Sequence, residues 1–144
     1  MQTKMLIGGA FVSGEGAPEE ILDPATAETI ATVNEASAGQ IDAAVSAAAA
    51  AFPAWSRTTP AERSGMLLRL ADRIEAEAEA FARLESRNCG KPPARALEDE
   101  LPAIVDCFRF FAGAACCLPA SAAGEYLAGF TSMVRRDPIG VVAS

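Results

Sequence analysis

The chain has 144 residues, of which 51% are hydrophobic, and this is enough for one domain with a core. Its formal net charge is -7 and it has no basic run, so a nucleic-acid partner is not expected. No apolar run is long enough to span a membrane, and the pattern predicts a soluble cytoplasmic protein without a membrane partner. Because histidine is absent, neither a Ser-His-Asp nor a Cys-His catalytic arrangement is possible.

The first part of the chain reads as strands and turns. Two apolar runs in Met5–Val12 flank Gly8-Gly9, which predicts a small hairpin. Residues 13–20 (SGEGAPEE) predict a polar loop, Asp23-Pro24 a turn, and residues 29–33 a strand.

Three helical stretches follow. The capping box at Ser37 predicts the start of the first, which we expect Pro53 to end. A second capping box at Thr59 starts a stretch whose apolar residues recur every three or four positions until Gly90, where a left-handed stop is expected. The third runs from about residue 93 to 118, with a kink or break expected near Pro102.

The last part of the chain is predicted to be extended. After the small-residue stretch 119–125, residues 126–136 are rich in β-prone types, and Asp137-Pro138 predicts a turn. The apolar run 139–143 is typical of a buried parallel strand. No helix follows to cover it, so we interpret it as an unfinished βα unit at the end of an amino-terminal portion of a larger protein.

The cysteines show no pattern of a disulfide framework or a zinc site. Four are present at irregular spacing (Cys89, Cys107, Cys116 and Cys117), and none forms a C-x-x-C pair. Cys89 in ESRNCGKP is predicted at a helix C-terminus, where the helix dipole disfavours a thiolate. We therefore interpret these cysteines as structural thiols and Cys89 as no nucleophile.

The acidic run Glu98-Asp99-Glu100 lies in the first turns of the third helical stretch. It fits a solvated face that complements the helix dipole, and it also fits a carboxylate patch that attracts a cationic ligand. Neither a G-x-G-x-x-G motif nor a P-loop is present, so this chain carries no signature of phosphate binding.

Several segments resemble the aldehyde dehydrogenase superfamily in order and spacing. They are DPATAETIATVNEAS, TTPAERSGMLLRLADRIE, LESRNCGKP, FRFFAGAA and RRDPIGVVAS. LESRNCGKP, LPAIVDCFRFFAGAA and AAGEYLAGFTSM are especially similar to the bacterial γ-aminobutyraldehyde branch, which is related to the betaine aldehyde dehydrogenases. The resemblance implies an α/β fold: the hairpin and helices of an NAD-binding domain in residues 1–124, an oligomerisation arm in 125–138, and the truncated first strand of a Rossmann-like sheet in 139–144.

The resemblance also implies a covalent mechanism. A cysteine thiolate attacks the aldehyde to give a thiohemiacetal, a hydride passes to NAD+, and a glutamate-activated water releases the acid. By the same resemblance these groups lie beyond Ser144. No catalytic or cofactor-binding residue is therefore assigned to this chain, and NAD is expected to bind only the complete enzyme.

The family resemblance assigns three expected roles within the chain. Asp99 and Glu100 would lie at the substrate entrance and meet the cationic end of an aminoaldehyde. The backbone oxygen of Ile21 and the side chain of Asn88 would hold a structural monovalent cation, and residues 126–136 would pair with another subunit in a homo-oligomer. The alternative from another class is a free-standing, Ala-rich helical interaction module without catalysis.

Overall fold

The computed structural model describes residues 2–118 and 123–144. These residues form three antiparallel two-stranded sheets and a layer of helices that contains one π-helical turn. In chain order the elements are β1 (Met5–Ile7), β2 (Ala10–Val12), β3 (Pro18–Leu22), β4 (Thr29–Asn34), α1 (Ala38–Trp55), α2 (Pro60–Ala76), α3 (Ala78–Cys89), α4 (Pro93–Arg95), the π turn (Ala96–Glu100), α5 (Leu101–Cys116), β5 (Gly124–Leu127) and β6 (Phe130–Ser132).

The first hairpin forms as predicted. Strand β1 pairs with β2, and the two turn residues Gly8 and Gly9 have φ angles of 57° and 84°. Positive φ at both central residues is the requirement of a type I′ turn, and glycine meets it without steric cost.

The second hairpin corrects part of the loop prediction. Residues 18–20 were expected in the polar loop, but they belong to β3, where Pro18 pairs with Asn34. A two-stranded sheet consists only of edge strands, which tolerate a proline and exposed charges. The predicted turn is present, because the Asp23 carboxylate accepts a hydrogen bond from Ala25 N–H at 2.9 Å.

Helix α1 begins at the predicted capping box but does not end at Pro53. The Ser37 hydroxyl accepts from Gln40 N–H, and the Gln40 side chain returns to Ser37 N–H. The helix continues through Pro53 to Trp55. The proline removes only one backbone donor, and the helical hydrogen bonding resumes with Ser56 N–H, which donates to the Phe52 carbonyl at 2.8 Å. The prediction that Pro53 ends the helix was therefore wrong by two residues.

The second helical stretch is divided in two. Its capping box, Thr59 with Glu62, and its left-handed end at Gly90 (φ 74°) are as predicted. At Glu77, however, φ is -106° and the backbone N–H is shared between the carbonyls of Arg73 and Ile74, so the single predicted helix becomes α2 and α3. The apolar spacing runs through this point unchanged, which is why the sequence does not reveal the break.

The irregularity predicted near Pro102 is a π-helical turn. It ends at Glu100, and Leu101 N–H donates to the carbonyl of Ala96, five residues back. A proline ring collides with the carbonyl four residues earlier in a regular helix, and the wider turn relieves this collision. Helix α5 then runs to Cys116, two residues short of the predicted end.

The core lies where α2, α3 and α5 meet. Ala82, Ala96 and Leu101 are buried there, with Ile74 and Ala78 packed against them. The small methyl side chains allow the helices to approach closely.

An ion pair also ties α5 to α2. The Arg109 guanidinium on α5 lies 3.1 Å from an Asp72 carboxylate oxygen and 2.6 Å from one of Glu75. These side chains are partly exposed, so the pair adds modestly to the apolar packing.

The carboxyl-terminal part differs from the predicted single extended segment. Between Gly124 and Ser132 the chain folds back into the β5–β6 hairpin, with Gly129 at φ 83° in the turn. Residues 119–122 of the predicted small-residue stretch lie outside the described residues. Residues 139–144 form no strand with the other residues described here. The parallel strand expected at 139–143 stays a prediction. Within the described ranges, no helix is long and apolar enough to cross a membrane.

Candidate functional site

The charged side chains most closely associated with the helical core lie between the end of α3 and the π turn. The Lys91 ammonium is 3.0 Å from Glu85 Oε1 and 2.6 Å from Glu100 Oε2. We name these three residues the Lys91 cluster. Gly90 stops α3 in the left-handed conformation and thereby turns the chain so that Lys91 can reach both carboxylates.

The cluster shifts the pKa values of its members. Hydrogen bonds from Lys91 and, secondarily, from Cys89 lower the pKa of Glu85 below its ordinary value. The hydrogen bond to Glu100, followed by that to Glu85, raises the pKa of Lys91 above its ordinary value. Both shifts favour the charged forms of Glu85 and Lys91 at neutral pH.

Cys89 lies beside this cluster with its thiol directed at oxygen atoms. Its sulfur is 3.1 Å from the Glu85 backbone carbonyl and 3.4 Å from Glu85 Oε1. These oxygens accept from S–H and would repel a thiolate, and the ammonium of Lys91 is engaged by carboxylates. This geometry supports the interpretation of Cys89 as a structural thiol. All four cysteines are free and exposed.

The two residues predicted at a substrate entrance lie together on the π turn, and each already has a partner. Asp99 is paired with Arg95 at 2.7 Å, while Glu100 is paired with Lys91. Both carboxylates remain about half exposed, so they also face solvent. The pairing of Glu100 with a lysine nine positions earlier could not be read from the sequence, because it depends on how α3 packs against the π turn.

The segments of the predicted cation site are also brought together. Pro24 packs against Gly90, with its Cγ 3.0 Å from where a glycine Cβ would stand. Ile21, at a register shift of β3, is three residues before Pro24 in the chain, and Asn88 is two residues before Gly90. The two donors are neutral oxygens, and the described ranges contain no group of three acidic or thiol side chains able to hold a metal. Such donors suit a weakly bound monovalent cation, and the site stays a prediction.

The profile of the aldehyde dehydrogenase family matches residues 11–144 of this chain. The chain belongs to the aldehyde dehydrogenase family. Its structure matches a putative aldehyde dehydrogenase from Burkholderia cenocepacia with a TM-score of 0.90 and 41% identity, over 96% of this chain and 28% of the other. It matches an NAD+ complex of the Bacillus cereus aldehyde dehydrogenase with a TM-score of 0.88 and 37% identity, over 96% of this chain and 29% of the other. The α/β fold is therefore that of the amino-terminal part of an aldehyde dehydrogenase.

Relatives in the aldehyde dehydrogenase family are named for different substrates. The betaine aldehyde dehydrogenase of Mesorhizobium japonicum is 36% identical, over 94% of this chain and 28% of that protein. The acetaldehyde dehydrogenase 2 of Cupriavidus necator is 39% identical, over 98% and 28%. The chain thus spans about 28% of the length of these relatives. A match along nearly the whole chain does not favour the alternative of a free-standing helical module.

Proposed function

We propose that this chain is the amino-terminal portion of an NAD-dependent aldehyde dehydrogenase that oxidises an aminoaldehyde, such as 4-aminobutanal, to the carboxylic acid. The use of NAD is supported by structural relatives that were determined with this cofactor. The family mechanism, through a cysteine thiohemiacetal, needs a nucleophile and a base that this chain does not supply. The cofactor would accept the hydride in the complete enzyme.

The observation that carries the aminoaldehyde proposal is the negative charge around the π turn. Carboxylates outnumber cations among the residues that pair there, since Glu85, Asp99 and Glu100 pair with only Lys91 and Arg95. A net negative surface attracts a cationic substrate tail and disfavours an anionic one. One relative, the Mesorhizobium enzyme, is named for betaine aldehyde, which carries a quaternary ammonium group.

The role of this chain in the reaction would be recognition and support. Asp99 and Glu100 would meet the ammonium end of the substrate, and the helical layer would pack against the cofactor-binding sheet. The exposed β5–β6 hairpin would pair with another subunit, because an open strand edge favours such pairing.

The aminoaldehyde proposal is tested by removing the two carboxylates in the complete enzyme. In the double variant Asp99→Asn, Glu100→Gln the KM for 4-aminobutanal should rise about fivefold, as expected for losing partly exposed charge pairs. The KM for butanal, which has no charge, should change by less than about twofold.

A matched control keeps the overall charge change the same. The variant Glu28→Gln, Asp42→Asn also removes two negative charges, from the second hairpin and from α1. It should leave both KM values unchanged. Equal increases for the two aldehydes, or the same increase in the control, would contradict the proposed recognition.

A further inference from the structure

Lys91 joins α3 to the π turn, two elements that are not adjacent in the sequence. It lies in the short connection after Gly90, and its ammonium joins the last turns of α3, through Glu85, to the last residue of the π turn, Glu100. Its side chain is only 28% exposed, less than that of either carboxylate partner. The ammonium is therefore held in place rather than free in solvent.

A π turn benefits from contacts that hold it in place. Its backbone hydrogen bonds span five residues, and π turns are rare because this geometry is less favourable than the regular helix. The other ion pair on the turn, Arg95 with Asp99, is local and largely exposed, so it contributes little. Among the described ion pairs, only those of Lys91 link the turn to α3.

Removing the ammonium would leave two like charges close together. One oxygen of Glu85 and one of Glu100 both lie within 3.0 Å of the same nitrogen. Without it the two carboxylates repel each other, and Glu100, on the less regular element, is the one free to move. The lowered pKa of Glu85 and the raised pKa of Lys91 agree with this dependence.

We propose that Lys91 is a positioning residue, which fixes the π turn and holds the Glu100 carboxylate where it meets the cationic end of the substrate. The part concerning substrate rests on the proposed function; the anchoring of the turn does not. Lys91 itself touches no substrate in this account and acts through Glu100. In a competing interpretation, Lys91 only neutralises the charge of Glu100. Removing Lys91 would then strengthen the binding of cations.

The kinetic test compares Lys91→Met with Arg83→Met in the complete enzyme. Arg83 is the control, because it too is a cation paired with a carboxylate of α3, Glu79 at 3.3 Å, but its pair is exposed and does not reach the π turn. In Lys91→Met the KM for 4-aminobutanal should rise about fivefold, while kcat and the KM for butanal stay within about twofold. Lys91→Arg, which keeps the bridging charge, should restore the KM. An unchanged or lower KM for 4-aminobutanal, or an equal rise for both aldehydes, would overturn the proposal.

Amide hydrogen exchange tests the anchoring independently of any substrate. In Lys91→Met the amides of residues 96–101 should exchange about tenfold faster, with no change in Arg83→Met and recovery in Lys91→Arg. Unchanged exchange would overturn the anchoring whatever the kinetics show. If the wild-type enzyme has no preference for 4-aminobutanal over butanal, the proposed function fails, and the exchange result still decides the role of Lys91 in the turn.

Discussion

At the scale of single residues, Glu85 shows how a surface carboxylate acquires a structural role. Its side chain accepts from the Lys91 ammonium and from the Cys89 thiol, and its backbone carbonyl also accepts from that thiol. These bonds stabilise the ionised form of the Glu85 carboxylate. The same contacts thus tie the Cys89 thiol and the Lys91 ammonium to the last turns of α3.

The lowered pKa of Glu85 predicts an acid-sensitive contribution to stability. Its pKa in the folded chain lies below the ordinary value of 4.5, so the folded state favours the ionised form. The stabilisation is therefore present above about pH 4.5 and is lost as the pH falls through the folded-state pKa.

Urea denaturation of the wild-type protein and of Glu85→Gln checks this expectation. The difference in unfolding free energy between them should be constant near neutral pH and should shrink below about pH 4.5. In a Lys91→Met background the same substitution should have a smaller effect, because the main partner is gone. A difference that does not vary with pH would contradict the electrostatic account.

At the scale of elements, α3 ends at a glycine, and replacing it with another residue should lower the stability of the fold. Gly90 has a φ of 74°, and a Cβ at this position would stand 3.0 Å from the Pro24 side chain. Gly113 in α5 lies in regular helix, and beyond its own stretch of helix no described atom comes within 4 Å of its would-be Cβ. Substitution by alanine is therefore expected to change the unfolding free energy in opposite directions at the two positions.

Gly90→Ala should lower the unfolding free energy by about 1–2 kcal/mol, because it combines left-handed strain with a tight contact. Gly113→Ala should raise it by about 0.5–1 kcal/mol, because alanine favours the helix. Chemical denaturation of both variants measures these changes. A neutral Gly90→Ala would show that the turn between α3 and α4 is not constrained as described.

Local chemistry explains which elements could be predicted from the sequence. The Gly8-Gly9 hairpin and the capping boxes at Ser37 and Thr59 need only residues close in the chain, and all three form. The break at Glu77 and the π turn depend on how neighbouring helices pack, which no local pattern records.

The candidate site was predictable only in part. Asp99 and Glu100 stand out as an acidic run, whereas the role of Lys91 appears only once α3 and the π turn are packed together. The stretch that holds Glu85, Lys91 and Glu100 crosses the end of α3 and the whole of α4, so no helical periodicity connects them.

At the scale of the whole molecule, the chain leaves much apolar surface uncovered. Phe110 on α5 is 69% exposed and Ile139 is 95% exposed, while the buried side chains of the described ranges are mostly alanine. Soluble monomers rarely expose large contiguous apolar patches, and such patches mark surfaces of contact. The relatives are more than three times longer, which agrees with a helical layer that packs against further structure.

The β5–β6 hairpin leads to a prediction about assembly. Tyr126, Leu127 and Phe130 are all more than 60% exposed on its two short strands. We expect the complete protein to form a homodimer or homotetramer through residues 126–136, since open strand edges and apolar side chains both favour association. Sedimentation velocity at micromolar concentration measures this, and a monomer there would contradict the prediction.

The central claim is that this chain helps to recognise the substrate and to support the cofactor-binding sheet, and that it carries none of the reacting groups. The most direct measurement is NADH formation at saturating NAD+ and 4-aminobutanal, recorded for the complete protein, for its Cys89→Ser variant and for the 144-residue chain alone. The complete protein and the variant should form NADH at the same rate, and the chain alone should form none. NADH produced by the chain alone and abolished by Cys89→Ser, or no NADH from the complete protein, would contradict the account.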